Sequence, residues 1–332
     1  MRLTNSAFGH VSTAGVVRST VMCVLVLSLS VSCAALQPLV RGTHRTDEQE
    51  LQAYENNLIH WNLLSAQYDI LEPIPPVSRT DHDGLIAHAA GLNRLFRVAF
   101  DFVGDGPAET ATGGARDLSN TEEMRHLTGG RIVTIYIGAP EDFPDDSDGV
   151  PFVRGILLSE DGWVLTVRHP FENHRCSPDQ AYLRVPDHDR AYAIQSCRSG
   201  QRSNVILTKF DMDRESVDVG APPVFSRPRK GETGFVLLDS HVNTFEILDT
   251  GIPLQLGSEL IYEENFIADA FESMYEATSG TPVWNRHGEI IGLYYHRSAD
   301  GSTVGFADLT DLPRQIGEAI RSVHRTMTHE TR

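Results

Sequence analysis

Hydrophobic positions along this 332-residue chain change their period twice. Leu51, Tyr54, Leu58, Trp61, Leu64 and Tyr68 recur at three- and four-residue spacing, which predicts an amphipathic helix. Pro73, Pro75 and Pro76 end it, because proline lacks the donor and the backbone freedom a helix needs. Leu85, Ala89, Leu92, Phe96, Ala99 and Val103 share one face of a second helix over 83–103. Both helices read as packing elements. A Gly-, Ala- and Thr-rich loop fills 104–120, and Ser119-x-x-Glu122 suits the cap of a short helix. At Arg131 the period becomes strand-like, with the β-branched run Ile132-Val133-Thr134-Ile135-Tyr136-Ile137.

Short strand candidates follow at 150–158, 162–167, 181–185, 190–195, 204–210, 233–239, 243–248, 282–285 and 289–295. Many short strands with turn residues between them predict a mainly β sandwich or barrel. Helical spacing returns from Asp308 to Met327, where Leu312, Ile316, Ala319, Ile320 and Val323 line one side of a closing helix. The chain contains no internal repeat and no low-complexity tract.

The first 36 residues follow another logic. Arg2 and Arg18 are the only charges before residue 41, and the apolar run Val21–Leu29 and the small residues Ser30–Ala35 follow them. This is the order of a secretory signal. Leu29-Ser30-Val31-Ser32-Cys33 also resembles a bacterial lipoprotein box, in which Cys33 would carry lipid. Cleavage after Ala34 or Ala35, lipidation at Cys33 and an uncleaved anchor over 19–36 all remain open. Any of the three places the chain outside the cytoplasm, in the periplasm or cell envelope, with membrane attachment through the N-terminus in two of them.

Residues 1–33 hold two arginines and no acids, so without them the net charge moves from −17 to −19. A body this acidic is poorly suited to nucleic acid or an anionic membrane surface. Outside the leader only Cys176 and Cys197 remain; in an exported protein they suggest a disulfide, against the alternative of two buried thiols. The acidic loop 141–149 lacks the ligand spacing and closing Glu of a calcium loop and reads as a solvated turn. No metal and no cofactor are expected.

Two segments carry the chemistry. Gly155-Ile156-Leu157-Leu158-Ser159-Glu160-Asp161-Gly162-Trp163-Val164-Leu165-Thr166-Val167-Arg168-His169 reads as strand, Asp-Gly turn and strand, with a histidine at its end. Ala277-Thr278-Ser279-Gly280-Thr281-Pro282-Val283-Trp284-Asn285 sets a serine in a turn of small residues before a hairpin. A serine hydroxyl becomes a useful nucleophile only beside a base, and histidine titrates near neutral pH.

Together these segments resemble the trypsin-like serine proteases, specifically the HtrA-like branch, and Gly305-Phe306-Ala307 resembles the segment that closes that branch's second barrel. The resemblance covers about residues 130–312. It implies two antiparallel β-barrels over 129–328, after the leader (1–36) and a tether and helical region (37–128), with the C-terminal helix closing the fold. It implies His169 as general base, Ser279 as nucleophile, and the amides of Ala277 and Ser279 as the oxyanion hole. Ser273, Tyr294-Tyr295-His296 and 297–304 are candidate lining for the primary pocket. Only 53 residues follow Ser279, too few for the remaining strands, the helix and a PDZ domain.

The chain departs from that family at two points. The family's aspartate falls at Asn204, 35 residues after His169 and 75 before Ser279. A neutral amide brings no charge to the imidazolium, and the same exchange in serine proteases costs about 10⁴ in turnover. Asp187, Asp189 and Asp211 are candidate substitutes. At the oxyanion turn Ala277 stands where the family has glycine. The sequence therefore leaves three functions open: an exported serine endopeptidase acting on polypeptide through a Ser-His acyl-enzyme, with weakened activity; an inactive relative that binds peptide or an envelope partner; or a structural envelope lipoprotein whose helical N-terminal region does the work.

Overall fold

The computed structural model describes residues 45–67, 71–77, 82–103, 118–128, 130–138, 152–171, 180–186, 190–199, 203–212, 223–238, 241–256, 260–262, 265–269 and 278–330. Two closed six-stranded antiparallel barrels form its body. The first joins β1 (Ile132–Ile137), β2 (Phe152–Leu157), β3 (Trp163–Val167), β4 (Ala181–Arg184), β5 (Ala191–Ser199) and β6 (Val205–Phe210) in the order β1-β2-β3-β6-β5-β4. Between β8 and β11 of the second barrel in sequence, β9 (Leu254–Leu256) and β10 (Leu260–Tyr262) pair as a small ribbon.

The second barrel joins β7 (Thr233–Leu237), β8 (Val242–Thr250), β11 (Asn265–Asp269), β12 (Pro282–Asn285), β13 (Ile290–Arg297) and β14 (Thr303–Ala307) in the order β11-β14-β13-β12-β7-β8. Alternation sets what each barrel encloses. In β1, Val133, Ile135 and Ile137 point inward while Ile132, Thr134 and Tyr136 stay partly exposed. The first interior packs these with Leu183, Ile194, Ile206 and Phe210; the second stacks Phe245 and Phe266 on Phe306.

Among the described residues four helices complete the fold: α1 (Asp47–Gln67), α2 (His82–Val103), α3 (Thr121–Thr128) and α4 (Leu312–Glu330). A third apolar cluster unites Trp61 of α1, Phe96 of α2 and Ile316 of α4 with Leu165, Val205 and Leu293 from the two barrels. The predicted face of α2 is buried, and so are Gly91, Leu95, Val98 and Phe102, because this helix is covered on more than one side. Gly317 makes room for Trp61, whose Cζ2 would lie 2.8 Å from a Cβ there. Asn62 pairs with both backbone groups of Ile74, at 2.8 Å each, and so fastens the proline-rich link to α1.

Three readings of the sequence change. The cap of α3 is Asn120, whose Oδ1 accepts the Glu122 amide at 2.8 Å, rather than Ser119. The closing helix begins at Leu312; Asp308 precedes it and accepts the Thr310 amide at 3.0 Å. Strands β9, β10 and β11 lie where the alternation predicted none, since Asn265-Phe266-Ile267-Ala268-Asp269 mixes polar ends with a short apolar middle.

Candidate active site

His169 and Asn204 reach one end of the first barrel by strand pairing. Val167 of β3 lies opposite Val205 of β6, so the residue just past β3 and the residue just before β6 come together. The Arg168 amide donates to the Asn204 carbonyl at 2.7 Å, and His169 opens a short 3₁₀ turn ending at Phe171. Asn204 is fully buried. Its Oδ1 accepts the backbone N–H of His169 at 3.1 Å. An N–H donor needs an oxygen acceptor, so this bond fixes which way the amide points. The other terminus, Nδ2, is buried and makes no hydrogen bond among the described residues. Nδ1 of His169 is buried as well.

Ser279 occupies a four-residue turn, closed by the Thr281 amide donating to the Thr278 carbonyl at 3.0 Å. Gly280 adopts a φ of 88°, which glycine supplies at the third position of a type II turn. This turn is clamped from both barrels. The Arg154 amide of β2 donates to the Ser279 carbonyl at 2.8 Å, and the Gly280 amide to the Tyr294 carbonyl at 2.7 Å. A Cβ on Gly280 would overlap the Arg154 carbonyl oxygen. The Ser279 hydroxyl donates to the Tyr295 carbonyl at 3.4 Å, and the Tyr295 ring lies 6.1 Å from the His169 ring. Tyr295 thus links the serine of one barrel to the histidine of the other.

Ala277, Ser273, Cys176, Asp187, Asp189, Cys33 and the acidic loop 141–149 lie outside the described residues. Asp211 does not replace the missing carboxylate: it is exposed and accepts from the Gln195 amide at 2.9 Å. Cys197 is disulfide-bonded, with a partner outside the described residues. In the candidate pocket strand Tyr294 and Tyr295 are buried, and burial lowers the pKa of His296 and raises that of Tyr294. A cavity of about 320 Å³ opens elsewhere, beside the β12–β13 hairpin, lined by Arg229, Glu232, His287 and Glu289. Among the described residues no group of acidic, histidine or cysteine side chains is arranged to hold a metal.

The roles of Tyr295 and Arg154 were not legible in the sequence. Both act at this site through backbone atoms, which leave no trace in side-chain identity.

Paired six-stranded barrels, with histidine and asparagine on the first and a serine turn on the second, define the fold as trypsin-like. No family model matches the chain, and no curated protein matches it. Among solved structures it is similar to the MamO protease domain from Magnetospirillum magneticum, at 16% identity and a TM-score of 0.41 over 55% of this chain and 93% of that one. It is similar to the Rv3671c protease from M. tuberculosis, at 16% identity and 0.43 over 61% and 87%. The HtrA-type protease AlgW with a decapeptide matches at 19% identity and 0.43, over 61% of this chain and 68% of that one.

Proposed function

We propose that the chain is an exported trypsin-like domain whose inter-barrel cleft binds extended polypeptide, with hydrolysis reduced to a residual level. The observation that supports this reading is the orientation of Asn204. For Ser279 to attack a carbonyl, its proton must pass to Nε2 of His169. That requires the imidazole to carry its resting proton on Nδ1, held by an acceptor. The oxygen of Asn204 accepts the His169 backbone amide, and its Nδ2 makes no hydrogen bond among the described residues. A neutral amide in this position brings no charge to an imidazolium, and an N–H offered to the ring would favour the proton on Nε2, where the base is already occupied.

A serine endopeptidase forming an acyl-enzyme is the second reading, and the intact turn of Thr278–Thr281, clamped from both barrels, favours it. Fluorophosphonate labelling separates the two. The first reading expects the folded wild-type chain to stay unlabelled while Asn204→Asp is labelled at Ser279. Prompt labelling of the wild type, abolished by Ser279→Ala, establishes the second.

Further assignments belong to this proposal. Residues 1–36 export the chain, by a cleaved signal or by lipid on Cys33, to the periplasm or cell envelope. Residues 37–128 and 129–328 form its helical and protease-like regions, and Cys176 is the partner of Cys197. Export suits a disulfide, since such bonds persist in oxidising compartments. Peptide mapping of the non-reduced protein identifies the Cys197 partner directly.

A further inference from the structure

Among the described residues, the large apolar side chains left exposed are Ile59, Leu63, Phe152 and Val224. Phe152 is the aromatic one, 42% exposed, and it stands beside the candidate site. It lies two residues before Arg154 on β2, about 7 Å along the strand. The Arg154 amide is bonded to the Ser279 carbonyl at 2.8 Å.

Cross-strand pairing extends this position into a surface. Tyr136 of β1 lies opposite Phe152 on one side and Tyr182 of β4 on the other. The Tyr136 and Phe152 rings are 6.1 Å apart. Directly opposite residues share a face of the sheet, and here it is the outer face, because the alternate residues Val133, Ile135 and Ile137 fill the barrel. In the neighbouring row Arg184 is exposed, with its guanidinium 5.9 Å from the centre of the Tyr136 ring. An arginine held over an aromatic ring keeps its outer N–H donors for a carboxylate.

We propose that this face is the specificity platform for the peptide segment lying beyond Ser279, and that it selects a bulky apolar or aromatic residue next to an acidic one. The assignment rests on the peptide-binding reading above. Phe152 and Tyr136 supply a flat apolar seat, and Arg184 supplies the counter-charge. The choice of an acidic partner follows from complementarity. Arg184 is an exposed cation on a chain whose net charge is −17.

Affinity selection from a random decapeptide pool with the full chain tests the platform. The wild type is expected to enrich peptides carrying an aromatic beside Asp or Glu. Arg184→Glu should replace the acidic preference by Lys or Arg, and Phe152→Ser should remove the aromatic preference. Each should weaken a labelled wild-type-selected peptide by about tenfold, the scale of one lost anchor. Circular dichroism confirms that both variants fold, since the two positions are on the surface. Identical peptides enriched by wild type and both variants would overturn the platform while leaving peptide binding intact. A folded wild type that enriches no peptide would overturn both. Concentration-dependent dimers lost in Arg184→Glu would assign the face to a second copy of the chain and overturn the peptide assignment.

Discussion

The amide of Arg154 in the first barrel donates to the carbonyl of Ser279 in the second, at 2.8 Å. This bond ties the serine turn to the opposite barrel, so the turn's geometry depends on how the two barrels approach. Gly280 is what allows the approach, through its φ of 88° and the Arg154 carbonyl lying where a Cβ would be. Gly280→Ala should therefore cost about 3 kcal/mol or more, from backbone strain and overlap together. Urea denaturation measures it. A loss below about 1 kcal/mol would show that the turn is not clamped.

Gln315 of α4 acts as a stand-in for a strand. Its Oε1 accepts the Leu207 amide at 3.1 Å and its Nε2 donates to the Val205 carbonyl at 2.9 Å, both fully buried on the strand that follows Asn204. Gln315→Leu keeps the volume but strands two buried backbone groups, at about 1–3 kcal/mol each. The prediction is a drop of about 2–5 kcal/mol in unfolding free energy, with no change in the far-UV spectrum of the folded state. Gln315→Glu, which keeps one acceptor, should lose stability too.

Gly91 tests how closely the helical region is keyed to the first barrel. A Cβ there would overlap the carboxylate of Asp161, which accepts from Ser159 Oγ at 2.5 Å and lies 3.5 Å from Lys209 Nζ. In an exposed helix Gly→Ala gains about 1 kcal/mol from propensity. Here Gly91→Ala is predicted to destabilise instead. Hydrogen exchange in α1 and α2 should accelerate; a stabilised variant would mean that α2 can move off the Asp161 turn at no cost.

Burial raises the pKa of Asp308, with the Thr310 hydrogen bonds and then Arg227 pulling the other way and less strongly. A raised carboxyl pKa makes a contribution that is fully present below the unfolded value of about 3.9 and is lost as pH rises through the folded value. At pH 7 the buried charge thus costs stability. Asp308→Asn keeps an oxygen for the Thr310 amide and removes the charge. Its melting temperature should exceed the wild type's at pH 7, and the difference should shrink toward pH 4. Comparing the two proteins cancels the opposite effect of His60 and His296, whose lowered pKa values cost stability as pH falls through about 6.5.

Period and punctuation made much of this fold legible. The faces of α1 and α2, the strand pair around Asp161-Gly162 and the closing helix all follow from residue spacing, because burial on one side repeats at a fixed interval. The small strands between Leu254 and Asp269 did not show, since three- to five-residue strands carry too few alternations. His169, Asn204 and Ser279 stood out by their motifs. What the sequence could not convey was direction: that Asn204 spends its oxygen on the His169 backbone is a matter of geometry alone. The contribution of Tyr295 through its carbonyl was hidden for the same reason.

The central claim is that one atom of Asn204 holds this cleft back from catalysis. Peptidase turnover of Asn204→Asp against the wild type, with Ser279→Ala as the zero, measures it most directly. A carboxylate at this position can accept the His169 amide with one oxygen and the imidazole N–H with the other. Turnover is then predicted to rise by about 10³–10⁴, the scale of the reverse exchange in serine proteases. An Asn204→Asp protein that folds, binds peptide and cuts no faster than the wild type would contradict the account.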